Sequence, residues 1–239
     1  MGYQAIFPDN KMSVAQNISH TRERIAAACK RAGRQPHEVT LVAITKTQPV
    51  SIIREAVSAG ITILGENRVQ EAVEKVREVG AKVAWHLVGH LQTNKVKKAL
   101  SLFSVIQSVD SLRLAQEIQR HAEAAKQTVR VFIEVNTSGE STKFGIEPKL
   151  APELAKHIAE FPNVRLGGLM TIGALTTQTA IIRSCFQRLR GLRDEIREMN
   201  APFTDLLDLS MGMTDDFEIA IEEGSTLVRI GRAIFGERN

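Results

Sequence analysis

VTLVAITK, residues 39–46, is the stretch from which the fold is read. Residues 39–45 are apolar or β-branched with no polar alternation, so a strand there is expected to be buried on both faces, as in a parallel sheet covered by helices. Lys46 ends the run. Upstream, residues 13–32 carry Val14, Ile18, Ile25 and Cys29 on one helical face, with Ser13 placed to cap the start and Gly33 to stop the end. Downstream, Pro49 opens a second helix that runs to Gly60.

The same alternation continues to the end of the chain. Further strands are expected at 61–65, 83–89, 103–109, 129–136, 164–172, 205–209 and 226–230. Helical stretches between them include 68–79, 111–125, 149–160 and 177–199. Eight strands with a helix in every gap predict an α/β fold, a single closed (β/α)₈ TIM barrel; an open doubly wound sheet is the alternative. After the eighth strand only GRAIFGERN remains, too short for a full closing helix, so the helix at 13–32 is expected to cover that position. Residues 1–12 read as a flexible N-terminal tail and 13–239 as one barrel domain.

Composition narrows the class. With 43% hydrophobic and 24% charged residues the chain reads as an ordinary globular protein. No apolar run is long enough to cross a bilayer. MGYQAIFPDNKM has no basic start followed by an apolar core, so the cytoplasm is the expected location. The net charge of +4 is interleaved with acids on helices (RERIAAACKRAGR, EAVEKVREVG), which reads as solvated faces. The densest basic patch, Lys95–Lys98, is short, and one Trp and one Tyr provide little for stacking bases, so nucleic acid is not an expected partner. Cys29 and Cys185 have no partner at metal-ligand or redox spacing and read as reduced thiols.

In a barrel of this kind function sits past the C-terminal strand ends. Those positions hold Lys46, Asn67, His90, Asp110, Asn136, Met170 with Thr171, Ser210, and Arg229 to Gly231. A lysine at the end of a doubly buried strand is partly desolvated, which favours the neutral amine needed to condense with a carbonyl. The alternative is a lysine that keeps its ammonium in water at the rim. LSMGMTDDFEIAIEEGSTLVRIGRAIFG, from Leu209, puts glycines, hydroxyls and an arginine around strands seven and eight, where barrel phosphate sites are commonly built. Ser210 can donate its hydroxyl there, and Gly231 allows close backbone approach. Thr214 is expected to cap a helix whose dipole Asp215 and Asp216 complement. His86 reads as packed inside the barrel. Because strands one and eight are neighbours in a closed barrel, the amine and the anion site would share one ligand, a phosphorylated aldehyde. Pyridoxal 5′-phosphate fits, and so does a sugar phosphate in a Schiff-base aldolase.

AITKTQP around Lys46, ILGENRVQEA around Asn67, WHLVGHLQTNK from Trp85, GGLMTIG around Met170, LSMGMTDDFEIAIEEGST and VRIGRAIFG together resemble the pyridoxal-phosphate homeostasis protein family, from about Ser13 to the C-terminus. The resemblance implies the alanine racemase N-terminal-type barrel (fold type III) and pyridoxal 5′-phosphate as cofactor. It implies that Lys46 forms the Schiff base, Asn67 contacts the cofactor and Met170 lines the ring. Ser210 and the main chain of Ile230 and Gly231 would hold the phosphate, and Arg229 would lie by the pyridine nitrogen. The implied function is intracellular homeostasis of the cofactor, sequestered and supplied through a reversible Schiff base without strong catalysis. The implied recipients are apo-enzymes or free amino acids. A low-activity amino-acid racemase is the alternative. The resemblance implies that the racemase's second domain, with its catalytic tyrosine, is missing, and the sole tyrosine, Tyr3, falls in the expected tail. A monomer, with no nucleic acid, membrane or metal, is expected.

Overall fold

The computed structural model describes residues 12–80, 82–199 and 208–236. The expected tail, apart from Met12, and the start expected for strand seven at 205–207 lie outside the described residues. Eight strands, β1 (Thr40–Ile44), β2 (Ile63–Glu66), β3 (Ala84–Leu87), β4 (Val105–Val109), β5 (Val129–Glu134), β6 (Val164–Met170), β7 (Asp208–Ser210) and β8 (Leu227–Ile230), form a closed parallel barrel in chain order. Closure is made by β1 against β8, with Thr40 opposite Leu227 and Ala43 opposite Ile230, which excludes the open sheet. The helices are α1 (Val14–Arg31), α2 (Val50–Ser58), α3 (Val69–Val79), α4 (Val96–Leu100), α5 (Leu112–Ala124), α6 (Ala151–Ala159), α7 (Thr179–Arg197), α8 (Phe217–Glu222) and α9 (Arg232–Phe235).

Strand alternation splits the apolar residues into two layers. Val42, Ile44, Val88, Val105, Phe132, Met170 and Leu227 fill the lumen. Ala43, Leu64, Leu87, Ile106, Ile133, Leu169, Leu209, Val228 and Ile230 face outward under the helices, where Ile53, Ala72, Leu114, Ile158, Phe186 and Leu189 meet them. Each fully buried Leu, Ile or Phe contributes roughly 1.5–3 kcal/mol, so this outer layer carries most of the stability.

α1 starts with a capping box. The Ser13 hydroxyl accepts from the Gln16 amide at 3.2 Å, and the Gln16 side chain accepts from the Ser13 amide at 2.8 Å. Gly33, at φ +66°, follows its end. The helix packs where a closing helix would lie, because α9 has only four residues. Ile18, Ile25, Ala28 and Cys29 face the core, the Asn17 side chain donates from Nδ2 to the Ile234 carbonyl at 2.9 Å, and Arg24 and Arg31 pair with Glu218 of α8.

Two expectations are corrected. Thr214 does not cap α8; the cap position is Asp216, and the Thr214 hydroxyl accepts from the Ala233 amide instead. The helix begins two residues later than expected because 214–216 form a turn, tied by the Met213 amide donating to Asp216 Oδ1 at 2.6 Å. The charges of EAVEKVREVG are not all solvated either. Lys75 is buried, three residues from buried Ala72, on the face of α3 that packs on the barrel.

Candidate functional site at the mouth of the barrel

β1 delivers Lys46 to the C-terminal mouth, half-buried. The Thr45 amide continues the ladder to the Gly65 carbonyl at 3.0 Å, and the Gln48 amide donates back to the Thr45 carbonyl at 3.0 Å, so the chain turns sharply at Lys46. Around it lies a cavity of about 590 Å³, lined by residues from six strand ends: Ile44, Lys46 and Gln48; Asn67; Val88; Ile172; Met213, Thr214 and Asp215; Arg229, Gly231, Arg232 and Gly236. Three cationic side chains and one carboxylate face this space, and Arg232 pairs with that carboxylate, Asp215. At the β1–β8 seam a methyl group on Gly231 would sit 3.4 Å from Ile44, which shows how closely the two strand ends approach.

The floor is a buried polar chain. Arg229, 4% exposed, donates to the Ser210 carbonyl and hydroxyl at 2.7 and 2.8 Å and to the Thr171 carbonyl at 2.8 Å. The Ser210 hydroxyl donates to Gln107 Oε1 at 2.6 Å, and Gln107 Nε2 lies 2.8 Å from His86 Nδ1. An amide nitrogen must donate there, so the His86 proton resides on Nε2. Burial, reinforced by Arg130, pushes the His86 pKa down to about 4, so the ring is neutral near pH 7. Desolvation lowers Arg229 to about 10 against the pull of Asp216 and Glu134; at neutral pH it remains a cation. Glu134 is 2% exposed and held up at about 7, by burial first and by Asp110 second, with Arg229 opposing. Its Oε2 has no hydrogen-bond partner among the described residues.

Of the expected site residues, Lys46, Asn67, Arg229 and Gly231 line the cavity together. Met170 lies in the luminal layer, Ile230 in the outer layer and Ser210 beneath Arg229, all fully buried. His90 and Asp110 pair with each other at 3.2 Å, and His90 stacks on Phe144. Asn136 organises its own loop, donating to the Glu140 carbonyl and accepting from the Gly139 amide. Lys143 crosses to the Gly173 carbonyl at 2.6 Å. The sequence reading missed Gln107, Glu134, Glu66 and Lys75. Glu134 alternates in phase with Phe132, and the structure, not the sequence, shows that this phase of VRVFIE is the luminal one.

Gly89 holds Asn67 in place by having no side chain. A Cβ there would lie 2.3 Å from the Asn67 carbonyl oxygen, backbone that cannot yield cheaply. Gly89→Ala is expected to cost about 1–3 kcal/mol of stability and to move Asn67 out of the cavity wall. Urea unfolding measures the first, and a crystal structure of the variant the second.

The fold and this cavity define a class. Residues 16–239 match the family model described as the alanine racemase N-terminal domain. A pyridoxal phosphate homeostasis protein of Aquifex aeolicus is 45% identical over 229 residues, covering 95% of this chain and 99% of the relative. The structure of PipY from Synechococcus elongatus with pyridoxal phosphate bound superposes with a TM-score of 0.82 at 32% identity, over 94% of this chain and all of PipY. An alanine racemase of Clostridium difficile shares the fold at TM-score 0.76 and 14% identity, over 93% of this chain but 57% of the racemase. This chain belongs to the pyridoxal phosphate homeostasis protein family.

Proposed function

We propose that this protein is a cytoplasmic, monomeric holder of pyridoxal 5′-phosphate that keeps the cofactor sequestered and available, with no strong catalytic activity of its own. One observation carries the reading: the Lys46 amine shares a cavity of about 590 Å³ with Gly231 and Arg232 across the β1–β8 seam, over a buried arginine. That volume lies within the range of small-molecule sites, and the surplus of cationic side chains suits a phosphate. Bound there, the cofactor would supply an aldehyde for the Lys46 amine to condense with, a step that would release one water and be reversed by its return.

Asn67 would contact the cofactor from the β2 end. The main chain of Ile230 and Gly231 would take the phosphate, and Ser210 would join them once its hydroxyl turns from Gln107. Met170 would lie below the ring, and Arg229 beside the pyridine nitrogen. A permanent cation there disfavours protonation of that nitrogen and weakens the ring as an electron sink. Apo-enzymes or free amino acids are the proposed recipients. The purified protein, reduced with borohydride and mapped by mass spectrometry, is expected to carry the cofactor on Lys46, with negligible turnover of amino acids. Trapping on another residue, or robust racemisation of an amino acid, would overturn the reading.

A further inference from the structure

Behind Lys46 lies a buried ionic cluster that no part of the cavity contains. Lys75 of α3, 6% exposed, places its ammonium 2.7 Å from Glu66 Oε1, 2.6 Å from Glu71 Oε1 and 2.7 Å from the Thr45 carbonyl oxygen. Glu66 is fully buried at the end of β2 and also accepts from the Thr45 hydroxyl at 2.6 Å. Glu71 accepts from the Thr47 amide at 2.5 Å. The cluster therefore grips the peptide groups on both sides of Lys46: Thr45 by its carbonyl and hydroxyl, Thr47 by its amide.

Thr47 needs that grip. Its φ is +64°, a left-handed conformation that a β-branched residue adopts only when its surroundings hold it there. Desolvation pushes Glu66 above the ordinary carboxylate range. The same effect on Glu71 is outweighed by the hydrogen bonds from Lys75 and Thr47, which leave it below that range and able to hold Thr47 as an anion. Burying Lys75 and Glu66 together, with Glu71 half-buried beside them, is costly unless their geometry is well satisfied. Here the arrangement pins a single turn of backbone.

We propose that Lys75, with Glu66 and Glu71, is the positioning group of the Lys46 amine, holding the turn at 45–47 so that the amine meets an aldehyde seated in the cavity. The inference rests on the reading of Lys46 as the condensing residue. Glu71 is the point at which to test it, because its side chain is 28% exposed and its removal spares the buried Lys75–Glu66 pair.

The full-length protein is titrated with pyridoxal 5′-phosphate and, separately, with pyridoxine 5′-phosphate, which has the same ring and phosphate but no aldehyde. In Glu71→Ala, affinity for the aldehyde is expected to fall roughly tenfold, the scale of one charge-assisted hydrogen bond. Affinity for pyridoxine 5′-phosphate should stay within twofold of wild type, and Glu71→Gln, which retains an acceptor for the Thr47 amide, should restore the loss. The double variant Lys75→Met with Glu66→Gln, which removes the buried charges as a pair, should show the same split between the two ligands. Equal losses for both ligands would mean that the cluster only holds the barrel together, and no loss for either would mean that it does not position the amine; each overturns the proposal. Wild-type protein that binds both ligands equally, with nothing trapped on Lys46 by borohydride, would overturn the Schiff-base reading itself, a failure visible before any variant is made.

Discussion

Replacing Lys46 by alanine is expected to abolish covalent retention of pyridoxal 5′-phosphate while the barrel stays folded. Lys46 lies beyond the last residue of β1 and is half-buried, outside both apolar layers. Its loss should therefore change stability by less than about 1 kcal/mol. The ring and phosphate contacts would survive, but the only bond formed and broken reversibly would be gone, so the dissociation constant should rise on the order of a hundredfold. Lys46→Arg separates nucleophile from charge: a guanidinium keeps the cation and cannot condense at neutral pH. Both variants should lose the borohydride-trapped adduct, and Arg should retain more non-covalent binding than Ala. An adduct persisting in either variant would remove Lys46 from the site.

Glu134→Gln is expected to stabilise the protein at pH 8 and leave it unchanged at pH 4. The folded protein holds the Glu134 proton up to about pH 7, whereas the unfolded chain releases it near 4.5. Between those values the folded state binds more protons, so stability falls as pH rises, and the whole cost is present above pH 7. At about 1.4 kcal/mol per pH unit, the roughly 2.5-unit interval makes the gain from removing the charge about 3–4 kcal/mol. His86 has the opposite sign: the unfolded ring protonates below 6.5, the folded one only near 4, so its cost grows as pH falls through that interval. In the wild type the two slopes oppose each other between about pH 4.5 and 6.5. The Glu134→Gln variant should expose the His86 slope, its stability climbing with pH through that range. Urea unfolding at pH 4, 5, 6 and 8 checks both; an equal gain at every pH would show that the effect comes from packing rather than ionisation.

The eight-fold alternation was readable because each strand is a short apolar run between helices with clear caps, as at Ser13 and Gly33. Lys46 stood out because a charged residue ended such a run. What could not be read was which face of a doubly apolar strand turns inward. In VTLVAIT both phases look alike, yet Val42 and Ile44 fill the lumen while Ala43 lies under the helices. Lys75 escapes local pattern for a related reason: among the glutamates of EAVEKVREVG it looks like one more solvated charge, and only the fold buries it against Glu66, nine residues away on another element. The Ser210 hydroxyl bond to Gln107, more than a hundred positions earlier in the chain, is likewise set by the fold and not by local pattern.

The order of strands and helices, and an amine at the first strand end with a glycine–arginine segment at the last, are properties of local residue pattern and were set by the chain itself. Whether those two ends meet, which polar side chains turn into the lumen, and what holds the turn at Lys46 depend on β1 pairing with β8. Closure converts separations of nearly two hundred residues into hydrogen-bond distances, and no local pattern encodes a partner that far away.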